Sequence, residues 1–273
     1  MRSEYGPGFH VRAGTPVDLG AYDAYLGRWS RLSVTSLLSA AHVSVGHRIL
    51  DVATGPGEAA LLALPATAPH GRVVGLDIAE PMLVAARQRV DNSAFCCVVA
   101  DAQALPFGNS CFDAVVCQLS LMFLPDPARG LKEMRRVLRS GHYVAVSVIS
   151  TRDRANVWGA LAGALSRQLP AQRDTLHLLF SLANPEQLKE LLLGAGFSDV
   201  AVERQHHQDT LESFAAYWGT VENGVGMLPQ AYRALPPDNQ REVRNEVHAE
   251  LAKSVSDSQL ELSLETLIGA GRA

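Results

Sequence analysis

Residues 49–58, Ile-Leu-Asp-Val-Ala-Thr-Gly-Pro-Gly-Glu, constrain the fold of this chain more than any other stretch. Ile49, Leu50 and Val52 make the kind of apolar run that forms a buried strand. Gly55 and Gly57 then allow a tight turn in which backbone can come close to a ligand. Glu58 opens a helical pattern. A strand, a glycine turn and a helix N-terminus in that order form the nucleotide-binding corner of a doubly wound α/β sheet. This corner makes a cofactor-using enzyme the leading expectation.

The rest of the chain supplies the sheet. Residues 48–53, 72–77, 95–100, 112–118 and 143–149 read as five strands. Helices alternate with them, at 58–64, 81–90 (proline in its first turn, where its missing N–H costs nothing) and 127–138, the last ended by Gly141. Residues 152–182 read as a helical insertion over the carboxyl edge of the sheet. Asn184-Pro185-Glu186-Gln187 is a helix start, with Asn as the cap. A sixth strand at 199–204, helices near 211–222 and 237–254, and a closing strand at 259–268 complete the pattern, with one antiparallel member among the last strands. The expected fold is α/β: a doubly wound, seven-stranded, mostly parallel, Rossmann-like sheet in a single domain over 1–273. Residues 1–42 are the expected N-terminal lid. Gly6, Pro7, Gly8, Gly14 and Pro16 suit a mobile start, and the helix at 18–42 carries Tyr22, Tyr25 and Trp29 on one face. Residues 152–182 and 206–256 are the expected helical elements on the substrate side.

Composition narrows the function. An apolar fraction of 47% in 273 residues supports a sizeable core. A net charge of −4, with no basic run interleaved with aromatics, argues against a nucleic-acid partner. No apolar signal core occurs between Met1 and Gly14, and no apolar run is long enough for a bilayer. The expectation is a soluble, cytoplasmic protein acting on a small molecule, with no membrane partner and its oligomeric state open. Cys96, Cys97, Cys111 and Cys117 form no Cys-x-x-Cys pair, and no histidine cluster completes a metal site. No metal is expected, and the cysteines read as small buried hydrophobes, Cys117 lying nearest the expected cofactor cleft.

Two cofactors fit the glycine corner. Gly55-Pro56-Gly57-Glu58-Ala59-Ala60 matches G-x-G-x-x-A, and Asp77 comes later at the spacing of a ribose-binding acid, which nicotinamide and S-adenosylmethionine (SAM) enzymes share. Three features favour SAM. Glu58 stands at the helix N-terminus, where it would repel a pyrophosphate but tolerate a zwitterion with a sulfonium. Asp51 is a second acid suited to a cation. Asp101, with Ala102 beside it, can accept from an adenine amino group. A pyrophosphate among three acids is electrostatically poor.

The segments ILDVATGPGE, VVGLDIAEPMLVAARQRV, VVADAQALPFGNSCFDAVVCQLSLMFLPD and LKEMRRVLRSGHYVAV resemble the class I SAM-dependent methyltransferases, specifically the small-molecule type related to quinone-biosynthesis enzymes. Looser resemblance continues through NPEQLKELLLGAGFSDV to the end. Where the family often has the first glycine of Asp-x-Gly-x-Gly-x-Gly, this chain has Ala53. The resemblance implies SAM as cofactor, with Ala53, Thr54, Gly55 and Gly57 against its methionine part and Asp51 beside them. It places Asp77 at the ribose hydroxyls, Ile78 and Met82 around the adenine, Asp101 and Ala102 at the adenine edge, and Gln118 under the methionine moiety. Tyr22, Tyr25 and Trp29 resemble the N-terminal cover of such enzymes.

Methyl transfer from a sulfonium is an in-line displacement, driven by alignment and exclusion of water. A base is needed only for an acceptor with a high-pKa proton. His177, His206, His207 and Glu222 are candidate bases on the C-terminal elements. Tyr25, Phe180, Phe214, Tyr217, Trp218 and Met227 are candidates for an acceptor pocket. The Asn/Asp-Pro-Pro-Tyr pattern of nucleic-acid amino methylation is absent after the fourth strand, where Gln118-Leu119-Ser120-Leu121 stands. The expected reaction is SAM-dependent methyl transfer to a small, mostly apolar acceptor. The alternatives are a non-catalytic SAM-binding protein and a nicotinamide-dependent reductase.

Overall fold

The computed structural model describes residues 16–256 and 259–273. Among them, eight strands share one sheet: β1 (Arg48–Val52), β2 (Arg72–Asp77), β3 (Phe95–Val99), β4 (Phe112–Gln118), β5 (Leu138–Ile149), β6 (Ser198–Leu211), the two-residue β7 (Val255–Ser256) and β8 (Gln259–Arg272). Seven run in the order β3-β2-β1-β4-β5-β8-β6, and β7 pairs on β8. The pairs from β3 to β5 are parallel, while β8 runs antiparallel to both β5 and β6. This is the expected doubly wound, mostly parallel sheet. The chain leaves β1 toward β2 on one side and later returns to β4 on the other. The carboxyl ends of β1 and β4 therefore flank a switch point, where such sheets open a crevice.

Successive residues of β1 feed opposite layers, as the period of a strand requires. Leu50 and Val52 join the larger core with Val115, Leu131, Trp158 and Trp218. Ile49 joins the second core with Leu37, Ala60, Val73 and Val116. Helices Glu58–Thr67 and Arg28–Ala40 cover that second layer through Ala59, Ala60, Ala63, Val34 and Leu37. Asn184 caps its helix as expected, its side chain accepting from the backbone N–H of Glu186 at 2.8 Å and of Gln187 at 3.3 Å.

Several boundaries differ from expectation. Residues 206–211, expected to be helical, belong to β6, which pairs with β8 as far as Leu211 opposite Leu260. The run Gln205-His206-His207-Gln208-Asp209 reads as polar because β6 is an edge strand and only alternate positions are half-buried. The helix expected near 211 begins at Phe214, and a further short helix, Met227–Arg233, was not expected. Gly141 does not end a helix. The preceding helix stops at Val137, β5 begins at Leu138 opposite Phe112, and Gly141 lies inside the strand at φ +82°. The expected helix at 18–42 is helical over residues 19–40 but contains a π-turn at Asp23–Gly27. The expected mobile stretch at 1–15 lies outside the described residues.

The turn after β1 is strained where the family pattern has glycine: Ala53 sits at φ +56°. An L-residue there pays a steric penalty of about 1–2 kcal/mol that glycine avoids. Glycine loses more backbone entropy on folding, about 0.4–1 kcal/mol, which offsets only part of that strain. Ala53→Gly should therefore raise stability by about 0.5–1 kcal/mol, whereas Ala53→Val should lower it by at least about 1 kcal/mol. Urea unfolding of the three proteins checks both.

Candidate cofactor and acceptor site

The crevice is a cavity of about 240 Å³. One end of it is built by the carboxyl ends of the strands. Asp51 comes from β1, with Ala53, Thr54 and Gly55 from the turn after it. Asp77 ends β2 and Ile78, Ala79 and Met82 lie just past it, Ala102 comes after β3, and Gln118 ends β4. Tyr22 closes over this end, its hydroxyl 3.7 Å from where a Cβ on Gly55 would stand. Ten of the residues expected to hold the cofactor thus line one space. Three do not. Trp29 is 3% exposed and packs in the main core. Gly57, at φ +89°, faces the C-terminal end of helix Glu80–Arg89 and Val90 just beyond it, since a Cβ there would stand 2.8 Å from Val90 Cγ2. It permits the helix approach, not ligand contact. Asp101 is half-buried and accepts from Gln103 N at 2.8 Å and Gln103 Nε2 at 3.1 Å, while Ala102 next to it reaches the cavity.

Two acids in this end have capacity for a ligand. Asp77 Oδ2 accepts from Gly55 N at 2.9 Å, and Oδ1 from Ala79 N at 2.9 Å. Burial pushes its pKa up, and these backbone N–H groups pull it back. The Ile78 N–H bears on the carboxylate as well, and of its roughly four lone-pair sites this leaves room for a hydroxyl donor. Asp51 is fully buried. Its Oδ2 accepts from Thr54 Oγ1 at 2.6 Å, and its Oδ1 has no hydrogen-bond partner among the described residues. Burial, reinforced by the charge of Asp77, pushes its pKa up to about 7 against the pull of Thr54 and of the nearby Ala60 backbone N–H. Two buried acids side by side, one of them with an oxygen that makes no hydrogen bond of normal geometry, fit a ligand carrying both a cationic group and ribose hydroxyls. SAM is such a ligand.

Glu58 differs from its expected role. Its side chain is 3% exposed, but it is not a bare acid. Arg89 Nη1 lies 2.6 Å from its Oε1 and Arg31 Nε 3.3 Å from its Oε2. The same two arginines hold Asp23 of the π-turn, with Arg89 Nη2 at 2.5 Å and Arg31 Nη2 at 3.2 Å. Two cations and two anions close on one another, so Glu58 contributes little net repulsion to an anionic ligand. The electrostatic preference for a zwitterion rests on Asp51 and Asp77. The cluster also ties the N-terminal helix to the cofactor turn, as does Gln118, whose Nε2 donates to Ser30 O at 2.5 Å.

The other end of the cavity is apolar. Leu26, Leu119, Phe123, Leu124, Ile149, Trp158, Leu179, Met227 and Leu228 line it, with Tyr25 from the N-terminal helix. Trp158, Leu179 and Leu228 were not expected; they come from helical segments whose apolar positions look like any core. Tyr217 and Trp218 are 1% exposed and belong to the core behind this wall, Tyr217 donating to Val157 O at 2.8 Å. Phe180 and Phe214 are half-buried against that core and do not line the cavity. None of the candidate bases lines it either. His177, His206 and Glu222 are exposed, and His207 is half-buried on the edge strand, its pKa lowered by burial. Of the four cysteines expected to be buried, Cys117 is a fully buried core thiol, whereas Cys97 and Cys111 are half-buried and Cys96 is exposed, because β3 is an edge strand and Cys111 precedes β4. Among the described residues no group of three or more His, Cys, Asp or Glu could hold a metal.

Comparison with known proteins places this site in context. A family model described as a methyltransferase domain matches residues 50–146. The demethylmenaquinone methyltransferase of Roseiflexus sp. is 33% identical over 211 residues, covering 73% of this chain and 84% of that protein. The ubiquinone/menaquinone biosynthesis C-methyltransferase UbiE of Geobacter sulfurreducens is 29% identical over 213 residues, covering 72% and 79%. Among solved structures, the phosphoethanolamine N-methyltransferase 2 of Haemonchus contortus, determined with S-adenosyl-L-methionine, superposes with a TM-score of 0.61 at 17% identity. The match covers 97% of this chain and 59% of that one, and at that identity it speaks for the fold alone.

The charges of the site set two expected outcomes. Arg89 is the more enclosed of the two arginines, 12% exposed against 42% for Arg31. Arg89→Ala should cost about 2–4 kcal/mol, because it strips a buried carboxylate of its nearest cation. Arg31→Ala should cost about 1 kcal/mol or less. Denaturant midpoints separate them. Asp51 sets a pH dependence. Its folded pKa is raised from 3.8 to about 7, so the free protein holds a proton there below pH 7, and the folded state is progressively disfavoured as pH rises through that window. A ligand ammonium beside it favours the ionised form and expels that proton. SAM affinity should therefore climb between about pH 5.5 and 7, by at most about tenfold per pH unit, and level off above. Calorimetry across this range checks the slope, which Asp51→Asn should abolish.

Proposed function

The chain belongs to the class I SAM-dependent methyltransferases, and we propose that its acceptor is a small, mostly apolar ring of the reduced-quinone class, methylated at carbon. The observation that carries this reading is the division of one cavity into an acid-lined end and an apolar end. SAM supplies an activated methyl on a sulfonium, which the acceptor displaces in line. Asp77 is proposed to hold the ribose hydroxyls and Asp51 the ammonium. Ile78 and Met82 would sandwich the adenine, Ala102 would meet its edge, and Tyr22, Ala53, Thr54, Gly55 and Gln118 would enclose the methionine part. The apolar end aligns a flat acceptor and excludes water, which favours a reaction in which positive charge disappears from sulfur.

That end offers no carboxylate or imidazole among its described lining residues, and Tyr25, its one titratable group, is held protonated by burial. Removing a proton from the acceptor is therefore not assigned to a side chain there. An acceptor that is already an oxyanion, such as an ionised hydroquinone whose charge the adjacent sulfonium offsets, needs no base for the transfer itself; the ring proton that the methyl group replaces is lost to water afterwards, as the ring regains aromaticity. Similarity to relatives named for quinone biosynthesis supports the reading. The net charge of −4 supports a small acceptor over a nucleic acid. Among the described residues no helix is long and apolar enough to cross a membrane. Action in the cytoplasm, by the chain working as one unit with residues 19–40 as its cover, belongs to the same proposal.

The test has two arms. Calorimetry should show binding of SAM and S-adenosylhomocysteine and none of NAD. Incubation with methyl-labelled SAM and 1,4-dihydroxynaphthalene, kept reduced, should then yield a ring-methylated product by mass spectrometry and NMR. Label found only on amine or thiol acceptors in a parallel panel would overturn the acceptor class.

A further inference from the structure

The apolar end of the cavity contains two polar atoms with no partner. The hydroxyl of Tyr25 and the indole Nε1 of Trp158 are closed to solvent and make no hydrogen bond among the described residues, in residues 3% and 2% exposed. Both residues line the cavity; Leu26, Phe123, Ile149, Leu179 and Met227, which line it too, offer no side-chain oxygen or nitrogen, and the hydroxyls of Ser30 and Ser120 donate to Gly27 O at 3.3 Å and to Gln118 O at 2.9 Å. Folded proteins leave few buried donors unpaired, because each forfeits its hydration. We propose that Tyr25 and Trp158 are the acceptor-recognition residues: each turns slightly toward the cavity when the acceptor enters and donates a hydrogen bond to an oxygen substituent on its ring, and together they select oxygenated rings over hydrocarbons and amines. This deepens the acceptor reading above and rests on it for the kind of ring involved.

The surroundings hold both groups as donors. Burial, with Tyr217 nearby, pushes the Tyr25 hydroxyl well above its ordinary pKa, so it keeps its proton near neutrality. An indole N–H can only donate. A ligand group meeting them must bring lone pairs, as a carbonyl, phenol or phenolate oxygen does and an ammonium does not. Tyr217 does not compete for that ligand, because its own hydroxyl is committed to Val157 O, which anchors the residue before Trp158. The Tyr25 ring is confined as well. A Cβ on Gly224 would stand 3.0 Å from Tyr25 Cγ, and one on Gly226, at φ +114°, 3.3 Å from Leu26 Cδ1. The two glycines let the segment carrying Met227 close directly on the N-terminal helix.

The experiment compares 1-naphthol with naphthalene as ligands of the full chain loaded with S-adenosylhomocysteine. The parent protein should bind 1-naphthol more tightly, by at least about fivefold. Tyr25→Phe, which removes only the hydroxyl, should weaken 1-naphthol about fivefold to tenfold, the worth of one hydrogen bond, and leave naphthalene and S-adenosylhomocysteine unchanged. Trp158→Phe should act the same way and decides the matter if Tyr25→Phe folds poorly. Equal binding of both ligands by the parent, or an undiminished naphthol preference in folded variants, overturns the inference. Turnover separates it from the acceptor reading. Loss of naphthol preference with no methylation of any 1,4-hydroquinone leaves the donors standing and sinks the reading. Methylation of a hydroquinone with KM and kcat unchanged in Tyr25→Phe does the reverse.

Discussion

Glu58 is a carboxylate with almost no access to water, and two arginines from different parts of the chain hold it there. Arg89 comes from the helix after β2, Arg31 from the N-terminal helix, and both also reach Asp23. A buried charge tolerates such a position only while its partners stay in place. The need to neutralise Glu58 therefore fixes the N-terminal helix over the glycine turn, and with it the positions of Tyr22 and Tyr25. The π-turn at Asp23–Gly27 belongs to the same arrangement. A Cβ on Gly27 would stand 2.6 Å from Asp23 Oδ1 and 3.0 Å from Glu58 Oε1, so the helix approaches the cluster at a residue without a side chain.

The cavity beneath that helix is divided by chemistry. Strand carboxyl ends supply one half, where backbone N–H groups hold Asp77 and burial keeps Asp51 poised near neutrality. Inserted helices supply the other half, which is apolar apart from a few donors. A cationic, hydroxyl-bearing cofactor and the flat oxygenated acceptor proposed for this chain would sit side by side in such a pair of half-sites. In the SAM-dependent methyltransferases that juxtaposition is most of the catalysis, because the displacement itself calls for alignment and a dry site more than for a reactive side chain.

The sheet was legible in the sequence because its parallel strands are buried on both faces and announce themselves as apolar runs bounded by turns. The glycine corner was legible because two positive-φ positions and a helix start leave few other residues possible. Legibility failed where one-sided pairing weakens the pattern. Residues 206–211 continue β6 only because β8 lies against them. Trp29 and Tyr25 share a helical face in sequence, yet one enters the core and the other reaches the cavity, since the π-turn alters the phase between Tyr22 and the helix at Arg28–Ala40. His177, His206, His207 and Glu222 were plausible by residue type alone, and type says nothing about the direction a side chain faces.

The sequence by itself determined the fold class, the cofactor corner and the acids Asp51 and Asp77, because strand periodicity, glycine turns and short-range spacing are local properties of the chain. Only the tertiary structure decided how Glu58 is neutralised and which aromatic residues line the cavity. It also decided that Tyr25 and Trp158, far apart in sequence, line one cavity with donors unpaired among the described residues. Those outcomes depend on contacts between segments that local pattern does not encode, and on which polar atoms are left without a partner once every other contact has formed.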